Sequence, residues 1–274
     1  MAYPPAIHPI LVRRFSFLCC LFLVLACGND DEVVVVRILL ESATVAEQAT
    51  IGEELVALSR QYWTTLDRST HAGSYAYLDR LFELLVVHPD LRRRTAFDWR
   101  LHVLDDELSR EAFGFPGGQL FITTGMLRFL ESEDQLLSVL AHEMAYLDTD
   151  VAVDRLLADR GIGGAQLGDL LIGQTPDAPA DLLARIRRAD YAPAAVAAAD
   201  SLMLDLLCPF KYRPTGLVDI YALADARGEL PRWLRLRDRP RQDRLDWLTH
   251  TGYACDLNGV RNAAAYASFL AALE

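Results

Sequence analysis

The sequence predicts an α+β domain, mainly helical with a small antiparallel sheet, on three observations. Apolar residues recur at helical spacing over most of the chain from position 45 onward. One stretch, 97–104, alternates apolar and polar residues, and a Pro-Gly-Gly turn at 116–118 separates two extended runs.

Residues 45–63 place Ile51, Leu55, Leu58 and Tyr62 on one helical face, with Thr44 as a cap before Glu47. Residues 75–87 form a second helix whose apolar side carries Tyr77, Leu81, Leu84 and Leu85, ending at Pro89. In the strand 97–104, Trp99, Leu101 and Val103 face one way and Asp98, Arg100 and His102 the other, which makes His102 an exposed strand residue rather than a ligand. The run 112–123 is broken by Pro116-Gly117-Gly118, a turn leading into a strand at 119–123. Ser132 with Gln135 forms a capping-box pattern for a helix carrying Leu136, Leu137, Val139, Leu140, His142, Glu143 and Tyr146, predicted to continue through 151–157. Glycines 161, 163, 164 and 168 mark a loop, and further helices are predicted at 181–188, 193–207, 216–226, 241–248 and 258–273. Residues 33–40 read equally as a short strand or the start of a buried helix.

At 274 residues and 52% apolar content the chain has ample material for a core. A net charge of −11 argues against a nucleic-acid partner, since no long stretch concentrates enough Lys and Arg to neutralise phosphates. The basic run 232–244 is interleaved with Asp238 and Asp243, the pattern of a solvated face. At the N-terminus, Arg13 and Arg14 precede an apolar run at 15–26, shorter than the roughly 20 residues a bilayer span requires. Val24-Leu25-Ala26-Cys27 resembles a bacterial lipobox, followed by a polar tether from Gly28 to Asp31; an ordinary signal peptide or a buried helix are the alternatives. The expected organisation is therefore a signal peptide at 1–26, a lipidated N-terminus and tether at 27–44, and one domain at 45–274, held to a membrane through Cys27 in the bacterial cell envelope and facing the periplasm. Cleavage there leaves Cys208 and Cys255, which in an oxidising compartment either pair or stay as two buried thiols.

The chemistry concentrates at Leu140-Ala141-His142-Glu143-Met144-Ala145-Tyr146. On a helix, positions i and i+4 share a face, so H-E-x-x-H aims two imidazoles at one Zn²⁺ with the Glu as general base. Here the second His is Tyr146. Its surroundings, the segments 112–127 (A-F-G-F-P-G-G-Q-L-F-I-T-T-G-M-L), 133–136 (E-D-Q-L) and 139–143 (V-L-A-H-E), closely resemble the core of peptidase family M48, the BepA-like and HtpX-like metallopeptidases. Looser similarity extends to Ala198-Ala199-Asp200, which resembles the family's E-x-x-A-D helix, and to Asp238-Arg239-Pro240 with Arg244, which resembles its T-H-P-x-x-x-R segment.

The resemblance implies a gluzincin-like metallopeptidase domain whose zinc set is incomplete. His142 is the remaining ligand, Tyr146 replaces the second His, Val196 replaces the Glu ligand, and Asp200 is left as a second-shell group or substitute. Glu143 is a vestigial general base, Glu111 replaces the Asn of the family's N-A-F, and Arg239 replaces the His of T-H-P. A phenol with an ordinary pKa of about 10 ligates zinc only as phenolate and needs a further anchor, for which Asp200, Asp148 and Asp150 are candidates. The expectation is a pseudopeptidase without cofactor that binds unfolded or envelope proteins and peptides. The alternative is a zinc endopeptidase with a His, Tyr and Asp ligand set. The resemblance also implies an exposed substrate edge at Gly117, Gly118, Gln119, Leu120, Phe121, Ile122 and Thr123, open to β-augmentation, against the alternative that this strand is core sheet.

Overall fold

Thr44 opens α1 (Val45–Ser59) through a reciprocal capping box. Its Oγ1 accepts the Glu47 N–H at 3.3 Å, and Glu47 Oε2 accepts the Thr44 N–H at 2.7 Å. The computed structural model describes residues 44–158, 179–188, 190–231, 234, 241–252, 255 and 259–273. The signal, Cys27, the tether, the stretch 33–40, the glycine loop at 161–168 and Arg239 lie outside the described residues. Helix α2 (Ala72–Val86) buries Tyr75, Leu78, Leu81, Phe82 and Leu85 along one stripe.

Three strands follow: β1 (Arg100–Leu104), β2 (Ala112–Phe115) and β3 (Gln119–Thr123). The sheet order is β1-β3-β2, with β2 antiparallel and β1 parallel to β3, so the predicted antiparallel sheet is in fact mixed. The reason is local at one joint and tertiary at the other. Gly117 and Gly118 take φ of 78° and 85° in a 3₁₀ turn, a region open to glycine, and fold β3 back along β2. The connection from β1 to β2 instead crosses a strand's width and leaves a slot that β3 fills. All five residues of β3 are buried and both its flanks are paired, from Leu101 opposite Leu120 to Phe113 opposite Phe121. The expected exposed edge at 117–123 is therefore corrected to a central strand and its buried turn. His102 is likewise not an exposed residue: it is half-buried, stacked on Phe121 with its Nε2 2.9 Å from Gln119 Oε1, and burial lowers its pKa.

After α3 (Thr124–Phe129), α4 (Glu133–Leu147) runs through the middle of the domain with every residue buried. Its predicted capping box does not form. Gln135 Oε1 accepts the Glu131 N–H at 2.7 Å, Ser132 Oγ turns to Asp134, and the Glu133 N–H reaches the Arg261 carbonyl at 3.0 Å. The Glu133 carboxylate accepts from Tyr212 at 2.6 Å, Asn262 at 2.5 Å and Arg80 at 2.7 Å, which anchors the start of α4 to three distant segments. Nor does the helix continue to 157. Asp148 accepts the backbone N–H groups of Arg92 and Arg93 at 3.0 and 2.7 Å, while Arg93 Nη1 donates to the carbonyls of Leu147 and Thr149 at 3.0 and 2.7 Å. These bonds end α4, and α5 (Val151–Ala158) starts afresh.

The remaining helices pack around α4: α6 (Pro179–Arg187), α7 (Pro193–Leu207), α8 (Gly216–Arg227), α9 (Arg241–Gly252) and α10 (Ala263–Ala272). Helix α6 covers the β2 side of the sheet. Its Leu182 and Leu183 join the cluster of Phe113 and Phe115, and Arg187 pairs with Glu111 and, at 2.5 Å, with Asp106. Cys208 and Cys255 form a disulfide with Cα atoms 5.2 Å apart, tying the end of α7 to the chain after α9. The α4–α8 contact leaves no room for a side chain at Gly216, where a Cβ would lie 2.4 Å from the Asp134 carbonyl oxygen. Because that neighbour is backbone, Gly216→Ala is expected to destabilise the domain by about 1–3 kcal/mol, read as a lower urea midpoint at unchanged slope.

Candidate functional site

Helix α4 carries His142 and Tyr146 one turn apart, so their rings meet edge to face with centroids 5.0 Å apart. Both are buried, as is Glu143. Helix α7 begins at Pro193, a residue suited to a first helical position, and presents Val196, Ala199 and Asp200 to α4. The fold thus brings His142, Glu143, Tyr146, Val196 and Asp200 into one centre.

On one side the centre is apolar. Tyr146 stacks on Tyr191 with ring centroids 3.9 Å apart and packs with Val196, Ala145 and Ala199. Burial, reinforced by the nearby Glu143 and Tyr191, pushes the Tyr146 phenol well above its ordinary range, so it is held neutral. On the other side it is ionic. Asp200 Oδ1 lies 3.2 Å from His142 Nε2 and accepts from Arg244 Nη2 at 2.6 Å, while Oδ2 accepts from Arg244 Nε at 2.8 Å. Arg244 Nη2 stands 3.0 Å from His142 Nε2, and Arg244 Nη1 donates to the Tyr221 hydroxyl at 2.8 Å. Tyr221 in turn donates to the Leu234 carbonyl at 3.0 Å.

The electrostatics follow from this packing. Burial alone would raise the Asp200 pKa, but hydrogen bonds from His142 and Arg244 outweigh it and hold the carboxyl at about 2. Burial alone would lower the His142 pKa, but Asp200 and Glu143 outweigh it and raise it. Burial opposes the charge on Arg244 as well, and Asp200 more than compensates, so its pKa is raised.

A zinc ion implied by the H-E-x-x-H likeness does not fit these residues. The two imidazole nitrogens face different carboxyls, Nε2 toward Asp200 and Nδ1 toward Glu143 Oε1 at 3.5 Å, so the donors border no common point. A guanidinium lies against Nε2, and Val196 offers only methyl groups. Among the described residues no three His, Cys, Asp or Glu side chains converge to hold a metal. Asp148 and Asp150 are corrected as ligand candidates. Asp148 caps backbone groups of Arg92 and Arg93, and Asp150 accepts from Gln48 at 2.7 Å and Arg93 at 2.5 Å, beyond the end of α4. Arg244, expected on a solvated face, is fully buried. Tyr191 and Tyr221 had no signal in the sequence; Arg244 had one, its place in the T-H-P-x-x-x-R likeness.

A buried His-Glu pair on a central helix, beside a strand-turn-strand of this pattern, defines a domain of metallopeptidase type. Residues 72–167 match the sequence profile of Peptidase family M48. It is 36% identical over 64 residues to the mitochondrial metalloendopeptidase OMA1 of Schizosaccharomyces pombe, covering 23% of this chain and 19% of that protein. It is 39% identical over 57 residues to the mitochondrial metalloendopeptidase OMA1 of Danio rerio, covering 21% of this chain and 12% of that protein. The match thus spans less than a fifth of either relative.

The depressed Asp200 pKa has a defined sign. Its contribution to stability is complete above the unfolded value of about 3.9 and is lost as pH falls through about 2. Between about pH 5 and pH 2, wild type is expected to lose about 2 kcal/mol more unfolding free energy than Asp200→Asn, measured by urea titration.

Proposed function

We propose that this chain is a catalytically inactive M48-type protein, a pseudopeptidase that binds or scaffolds unfolded or envelope proteins in the bacterial cell envelope. The observation that carries the reading is the apolar plug of Tyr146, Tyr191 and Val196, which fills the side of His142 where two further ligands would be needed. Peptide hydrolysis by this family's chemistry needs a polarised water beside the general base. Glu143 here faces an imidazole engaged on its far side by Asp200 and Arg244. The lipobox-like Val24-Leu25-Ala26-Cys27 supports anchorage through Cys27, with the domain facing the periplasm.

Binding then needs a surface other than the strand at 119–123. We assign it to the shallow groove between α2 and β1, where Arg68, Asp79, Glu83, Val86 and Arg100 stand over the buried Phe82, Trp99 and Leu101. Charges of both signs along its rim suit an extended peptide.

The competing reading, a zinc endopeptidase using His142, Tyr146 and Asp200, draws support from the relatives, which are named metalloendopeptidases. Casein assays with added zinc separate the two. Wild type and Glu143→Gln are both expected to lack hydrolysis while suppressing aggregation of an unfolded client equally well. Hydrolysis that disappears in Glu143→Gln establishes the peptidase instead. Anchorage is checked by radioactive palmitate labelling, expected for wild type and absent from Cys27→Ala.

A further inference from the structure

We propose that the outer edge of β1 is a docking lane for an extended, positively charged peptide, closed in this structure by the side chain of Arg68. This deepens the assignment of peptide binding to the groove between α2 and β1, and rests on it for the claim that the chain binds peptides there.

Strand β1 pairs with β3 along one flank, and its other flank faces that groove. Backbone groups on such a flank need partners, and an uncovered row of them recruits a further strand. Residues 64–66 supply partners at one end. They run antiparallel to β1, with the Leu66 N–H on the Val103 carbonyl and the Asp105 N–H on the Thr64 carbonyl, both at 2.9 Å. The buried Tyr75 then wedges its hydroxyl into the pairing, accepting the Val103 N–H at 3.3 Å and donating to the Leu66 carbonyl at 2.9 Å. Past the wedge the chain turns away at Asp67, whose carboxylate accepts the N–H groups of Ser69 and Thr70 at 2.8 and 3.0 Å.

In the register of 64–66, residue 68 would pair with Leu101 through its backbone. Its side chain does so instead: Arg68 Nη2 donates to the Leu101 carbonyl at 2.8 Å. The same guanidinium holds Asp79 of α2 by bonds of 2.7 and 3.2 Å and lies 4.1 Å over the Tyr75 ring. Both members of the Arg68–Asp79 pair keep nearly half of their side-chain surface exposed, 49% and 45%, so solvent screens the contact and it is readily exchanged. The Tyr75 wedge is fixed; the Arg68 cover is not.

A strand turns the N–H and C=O of one residue to the same side, so Leu101 offers a donor and an acceptor to an antiparallel peptide continuing the line of 64–66. Such a peptide displaces Arg68 from the carbonyl and from Asp79. Asp79 and Glu83, one turn apart on α2, then form an acidic wall that a Lys or Arg side chain of the peptide answers. The net charge of −11 also favours the approach of a cationic chain.

The test titrates the full chain by fluorescence anisotropy with a labelled decapeptide of alternating Lys and Val. Arg68→Ala is expected to bind it about tenfold more tightly than wild type, since the competing guanidinium is gone. Glu in place of Lys in the peptide should weaken binding about fivefold, and Asp79→Asn with Glu83→Gln should erase that preference. N-methylation of alternate peptide nitrogens, which keeps every side chain, should cost about tenfold. In wild type, the Leu101 ¹⁵N amide signal should move on saturation with the peptide. Equal affinity of Arg68→Ala and wild type, or an N-methylated peptide that binds as well as its parent, overturns the proposal. A stationary Leu101 signal does so too, and decides the matter should Arg68→Ala fold poorly. Sedimentation of Arg68→Ala as a dimer without peptide uptake assigns the lane to a second copy of this chain and likewise overturns it. Suppression of client aggregation by wild type with no peptide at Leu101 sinks this inference alone, whereas Glu143-dependent hydrolysis with the titrations as expected sinks the pseudopeptidase reading alone.

Discussion

Burying a guanidinium and a carboxylate together is the constraint around which this domain is arranged. Each ion loses hydration worth several kcal/mol after relaxation, and their attraction offsets that only when geometry and further hydrogen bonds are good. Here both Asp200 oxygens are used, Tyr221 takes a further Arg244 donor, and His142 completes the set. Removing any partner would leave a buried charge unanswered, so α4, α7, α8 and α9 are constrained to one mutual arrangement. The disulfide between Cys208 and Cys255 closes the same region, since Cys208 follows the helix of Asp200 and Cys255 follows that of Arg244.

Around this ion pair α4 is governed by apolar packing. A helix buried on every face needs partners all round, and the sheet, α7 and α8 supply them. Tyr146 and Val196 belong to that packing: they close the centre with surface that water does not solvate well, and Tyr191 seals it by stacking. The centre is thus packed core on one side and ion pair on the other.

Most helices were legible because their determinants lie close together in sequence. Thr44 and Glu47 are three residues apart and form the predicted box, and Pro193 and Leu207 bound α7 where the apolar pattern places them. The Ser132 box failed because its two side chains take other near neighbours, Ser132 Oγ donating to Asp134 and Gln135 Oε1 accepting the Glu131 N–H. The long helix expected to reach 157 was broken by Arg93, about 55 residues upstream, which takes the carbonyls at its end. At the end of α4 a non-local hydrogen bond displaced a local one.

The sequence by itself determined the local helical periods, the glycine turn at 117–118, the likeness of 72–167 to a family profile and the residue types at 146 and 196, because these depend on residue type and near-neighbour spacing. Only the tertiary structure decided that β3 lies inside a mixed sheet, since strand order reflects how a connection crosses space rather than any pattern within a strand. It likewise decided the role of Arg244, whose partners Asp200 and His142 lie 44 and 102 residues away. A charged side chain in a polar run reads as solvated until folding places a carboxylate and an imidazole against it and takes away the water.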